Sequence, residues 1–84
     1  MNNALRPLPA LQPRRCNVSL SSAGQPVAVD DHRVNAIREE WRVEHGWWSE
    51  PRRRRYLEVV LDNGRLRVIY EDRREPGTWW CHGG

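Results

Sequence analysis

The stretch RYLEVVLDNGRLRVIYED (Arg55–Asp72) decides the fold of this 84-residue chain. Asn and Gly tolerate positive φ, so Asn63-Gly64 between two alternating runs predicts a two-residue type I′ hairpin turn. That turn sets Leu61 opposite Leu66, Val59 opposite Val68 and Leu57 opposite Tyr70, three apolar pairs on one face of the ribbon. The reverse face then carries Asp62–Arg65, Val60–Arg67, Glu58–Ile69 and Tyr56–Glu71. A one-residue slip is expected to push charge toward the core.

Upstream, CNVSLSSAGQPVAVD (Cys16–Asp30) alternates on both sides of a Ser/Gly/Pro turn, which predicts a second hairpin. Ile37, Trp41 and Val43 share strand parity, so RVNAIREEWRVEH (Arg33–His45) is read as a strand with a bulge near Glu39–Glu40; a short helix is the competing reading, because Ile37 and Trp41 are also four apart. Downstream, DRREPGT turns the chain into a last strand at TWWCH. Residues 1–14, with Pro7, Pro9 and Pro13, read as an extended proline-rich tail, and residues 15–84 as one small β domain. The expected fold is mostly β: a twisted antiparallel meander or open barrel of five to six short strands.

A chain this short buries barely enough apolar surface to fold. It is 38% hydrophobic and has no Phe, so five Trp and two Tyr must supply much of the core. On a strand, neighbours point to opposite faces. One ring of Trp47/Trp48 and one of Trp79/Trp80 are therefore expected inside, the other outside where a partner can reach it. All fourteen basic residues are arginine, against eleven acids, giving a net charge of +3. Four of them, Arg52, Arg53, Arg54 and Arg55, are consecutive. Mutual repulsion places such a run in solvent, in a loop or at a sheet edge; beside exposed rings it also suits nucleic-acid phosphates or an acidic protein. Candidate contact residues are Trp41, Trp47, Trp48, Arg52, Arg53, Arg54, Arg55, Tyr56, Arg73, Trp79 and Trp80.

Cys16, Cys81 and the three histidines lack zinc-ligand spacing, and neither a nucleophile elbow nor a phosphate-binding glycine loop occurs. No catalytic residue, metal or cofactor is expected. The N-terminus has no apolar run for export or a membrane span, so the chain is expected in the cytosol with reduced thiols; a Cys16–Cys81 bridge is the alternative if the two ends of the sheet meet.

The order W-R-V (Trp41–Val43), G-W-W (Gly46–Trp48), arginine-then-Tyr56, D-N-G (Asp62–Gly64), Y-x-D-R-R (Tyr70–Arg74) and G-x-W (Gly77–Trp79) resembles the C-terminal region of ImuB-type proteins. These are relatives of Y-family DNA polymerases that have lost polymerase activity and act as adaptors in damage-induced translesion synthesis. Small freestanding relatives of unknown function share the pattern. The resemblance spans residues 4 to 80, without the polymerase-like body of those proteins. Its matching positions are Trp41, Arg42, Gly46, Trp47, Trp48, Tyr56, Gly64, Tyr70, Asp72, Arg73 and Trp79. It implies a non-catalytic interaction module with a DNA-repair or polymerase protein as partner. Direct binding of single-stranded DNA or RNA by the arginines and rings is the alternative.

Overall fold

The structure, a computed structural model, describes residues 13–45 and 52–82. Seven strands form among them: β1 (Arg14–Cys16), β2 (Val18–Leu20), β3 (Pro26–Val29), β4 (His32–His45), β5 (Arg52–Leu61), β6 (Leu66–Asp72) and β7 (Trp79–His82). All pair antiparallel in one sheet of order β1-β7-β6-β5-β4-β3-β2. The sequence reading had five to six strands. The additional one arises because Cys16–Leu20 is two strands, split at Asn17, with β1 crossing to pair with β7 while β2 pairs with β3. The strands at the two ends of the sheet order are thus joined through a single residue. A sheet whose edges are so tethered must curl until they meet, and the result is a nearly closed barrel.

The expected strand from Arg33 to His45 is present as β4, and its ladder with β5 shifts register between Ile37 and Glu39, beside the expected bulge. The β5–β6 hairpin forms, but not in the expected register. Val60 faces Leu66, Val59 faces Arg67, Leu57 faces Ile69 and Tyr56 faces Tyr70. The loop has three residues, Asp62 to Gly64, closed by Leu61 N–H to the Arg65 carbonyl (2.9 Å). Only Gly64 takes positive φ (84°) there; the Asn63 side chain instead accepts the Arg65 N–H at 3.0 Å. This is the glycine-bulge form of a hairpin loop. The slip exchanges Tyr70 and Ile69 between faces and leaves Leu66 45% exposed. It does set Arg65 and Arg67 opposite Leu61 and Val59, with Arg65 exposed and Arg67 half-buried.

The concave face is the core: Cys16, Val29, Leu57, Val59, Leu61, Ile69, Trp79 and Cys81 pack together, with Val18 and Val34 at the margin. Trp79 is 2% exposed, while Trp80, its neighbour on β7, lies half-buried on the convex face. Trp47 and Trp48 lie outside the described residues. Arg52 to Arg55 are not a loop: they open β5, all four paired with β4 and Arg54 and Arg55 with β6 as well. Like charges are tolerated there because Glu40 and Glu44 of β4 and Glu71 and Asp72 of β6 face or flank them.

A Cβ added at Gly64 would meet no atom within 4 Å, so the cost of Gly64→Ala is that of left-handed backbone alone. The variant is expected to lower stability by about 1 kcal/mol, measured as a fall in urea midpoint at unchanged slope; an unchanged midpoint would mean the loop does not hold this conformation.

Candidate interaction surface

Register places one side chain from each of five successive strands in a line across the convex face: Trp41 (β4), Tyr56 (β5), Tyr70 (β6), Trp80 (β7) and Arg15 (β1). Trp41 and Tyr56 stack with centroids 5.4 Å apart and planes 9° apart; Tyr56 and Tyr70 are 4.9 Å apart at 31°. His82 leans on Tyr70 at 5.4 Å, and the Arg15 guanidinium lies 5.8 Å from the Trp80 ring. Cross-strand aromatic pairs of this kind stabilise a sheet. They also use up ring faces. Tyr70, 5% exposed, is sealed in the row, whereas Trp41, Tyr56 and Trp80 stay half-buried.

Arg54 sits over the Tyr70 ring at 4.7 Å and donates from Nη1 to the Tyr56 hydroxyl at 3.3 Å. Its Nε is 3.7 Å from Asp72 Oδ2, an ion pair too long for a hydrogen bond, so that N–H is buried unsatisfied. The other carboxylate oxygen of Asp72 accepts the Arg74 N–H at 2.9 Å and holds the β6–β7 turn. Pro13, Arg54, Tyr70, Asp72, Glu75 and Trp80 together enclose a socket of about 260 Å³ at one end of the aromatic row.

The concave side of the same strands carries a different chemistry. Arg42 faces Arg55 and Glu44 faces Arg53 across β4–β5. Arg55, with a side chain only 16% exposed, donates from Nε to Glu40 (2.8 Å) and from Nη1 to the Gly24 carbonyl (3.1 Å), pinning the β2–β3 turn over the barrel mouth. The hydrogen bond from Arg55, reinforced by Arg42, holds the Glu40 carboxyl below its usual range. Deeper, at the β1–β7 seam, the Cys16 thiol donates to the Cys81 sulfur, which raises Cys16 and lowers Cys81 to about 7. Both cysteines are free and buried.

The structure therefore divides the sequence candidates. Trp41, Tyr56 and Trp80 share the convex row, and Arg54 borders it. Arg53, Arg55 and Arg73 belong with Arg42 at the mouth. Trp79 is removed from the contact surface, being 2% exposed within the core cluster. Arg52 gives its backbone to the β4–β5 ladder, and its side chain lies outside the described residues, as do Trp47 and Trp48. Sequence reading missed Tyr70, Asp72, Glu75 and Pro13 as parts of one socket; only register and the return of β1 to β7 join them. No family model, curated protein or solved structure matches the chain.

Two outcomes test these contacts. Asp72→Ala leaves Arg54 without its counter-ion and the turn without its cap, and is expected to cost about 1–3 kcal/mol; Asp72→Asn, which keeps an acceptor, is expected to cost less, both read from urea midpoints. Because Glu40 is depressed on folding, its contribution is present above the carboxylate's unfolded value near pH 4.5 and lost as pH falls through the lower folded value. Lowering pH from 5 toward about 3 should reduce the midpoint, and Glu40→Gln should flatten that slope.

Proposed function

We infer that this chain is a non-catalytic protein-interaction module that docks a partner through the convex aromatic face. The observation that supports it is the socket beside Trp80. Its lining combines Pro13, the Tyr70 and Trp80 rings, the Arg54–Asp72 pair and Glu75, and the aromatic row runs on from it across β4 to β7. Interfaces concentrate their binding free energy where aromatic and arginine side chains surround a pocket that an anchoring residue can fill. The self-stacked rings favour a protein over stacked bases, since a base needs an open ring face.

The resemblance to ImuB-type C-terminal regions points to the identity of that partner: a polymerase or RecA-like protein of a DNA-damage response, met in the cytosol. Within such a complex the module acts as an adaptor and carries no chemistry of its own. Affinity capture with the full chain from damage-treated cells of its host is expected to enrich a translesion polymerase or recombinase-like protein. Trp80→Ala should weaken that capture by about 2 kcal/mol or more; the ring also packs in the aromatic row, so capture is compared at a temperature where circular dichroism shows the variant folded. Capture that ignores Trp80, or that brings no replication or repair protein, rejects the reading.

A further inference from the structure

At the barrel mouth a second surface gathers positive charge beyond what the fold uses. Arg42, Arg53, Arg54, Arg55 and Arg73 line a cleft of about 130 Å³ with Val43 and Glu44. Arg54 and Arg55 are committed, one to Tyr70 and Asp72, the other to Glu40 and the Gly24 carbonyl. The remaining three are not. Arg42 and Arg53 have side chains 63% and 65% exposed, and each reaches one carboxylate, Glu40 at 3.5 Å and Glu44 at 3.3 Å. Exposed pairs of this kind hold weakly and exchange readily. Arg73 is exposed and makes no ion pair among the described residues. Its N–H donates to the Arg53 carbonyl at 2.8 Å, which fixes the two arginines side by side.

Arg42 and Arg55 face each other directly, an unfavourable cross-strand pair that shares Glu40; Arg55 has Glu71 opposite it on β6, and Arg42 has only the 3.5 Å contact to Glu40. An anion in the cleft relieves this. Each guanidinium fork matches the two free oxygens of one backbone phosphate, so three neighbouring arginines suit a run of phosphates better than one isolated carboxylate. Among the described residues Val43 is the one apolar member of the lining, and the rest is charged. Contact with a nucleic-acid backbone needs charge alone. A flexible single strand can bend to bring successive phosphates to Arg42 on β4, Arg53 on β5 and Arg73 just after β6, which a rigid duplex does less readily. We propose that this cleft binds the backbone phosphates of single-stranded nucleic acid, with Arg42, Arg53 and Arg73 as ligands. The assignment uses a different surface from the socket at Trp80.

The test is fluorescence anisotropy of a labelled oligothymidine of roughly 12 nucleotides with the full chain. Three neutralised phosphates give a slope of log affinity against log salt of about −2, so affinity should fall about 20-fold from roughly 50 to 200 mM salt. The double variant Arg53→Gln/Arg73→Gln should lose at least about tenfold at the lower salt and flatten the slope toward −0.7. Arg33→Gln/Arg65→Gln, which removes the same charge elsewhere, should stay within about twofold. Arg73→Gln alone gives the intermediate case, and circular dichroism checks that each variant is folded. Equal losses in the two double variants, no binding at the lower salt, or tighter binding of a phosphoserine peptide than of the oligonucleotide would each overturn the assignment. Trp80→Ala is expected to leave oligonucleotide affinity unchanged, which keeps this result separate from that of partner capture.

Discussion

Asn17 is the residue on which the barrel turns. It alone separates β1 from β2, the two ends of the sheet order, and it is clamped to Asp30 twice: its N–H donates to Asp30 Oδ1 at 3.0 Å and its carbonyl accepts the Asp30 N–H at 2.6 Å. Asp30 accepts a left-handed backbone, φ 54°, to make that clamp, a conformation that Asp tolerates better than most residues. Its second oxygen meets Arg14 of β1 at 3.4 Å. A flat seven-stranded sheet cannot satisfy a one-residue connection between its outer strands. Curvature follows from connectivity, and with curvature come a concave side that buries Leu57, Val59, Ile69 and Trp79 and a convex side that exposes the aromatic row.

Alternation along single strands was legible in the sequence, and cross-strand relations were less so. Trp79 and Trp80 separate to opposite faces as their adjacency requires, and β4 is a long strand with its irregularity near Glu39. The β5–β6 hairpin was legible as a hairpin but its register was not. Val59-Val60 and Val68-Ile69 place an apolar residue on both faces, so apolar pairing alone accepts either register. What the observed register gains is Tyr56 beside Tyr70, in line with Trp41 and Trp80. That gain depends on β4 and β7, which no local reading of Arg55–Asp72 contains.

The arginine run shows the same dependence. In isolation, four like charges argue for a solvated loop. In the sheet, strand parity deals them alternately to two faces, and acids from strands distant in sequence meet them there: Glu40 and Glu44 from β4, Asp72 from β6. Arginine suits this better than lysine, because one guanidinium can cover a ring, reach a carboxylate and donate to a hydroxyl together, as Arg54 does.

Arg54 also explains how two surfaces of opposite character coexist within one hairpin. It borders the socket at Trp80 and the arginine cleft at the mouth. Being held by Tyr56, Tyr70 and Asp72, it serves both as a fixed wall and neither as a mobile ligand. The aromatic face keeps an ordered polar floor, and the exposed guanidiniums of Arg42, Arg53 and Arg73 remain on the other side of that wall. Alternation along β5, which sends Arg53 and Arg55 one way and Arg54 the other, is what keeps the ring chemistry and the anion chemistry apart.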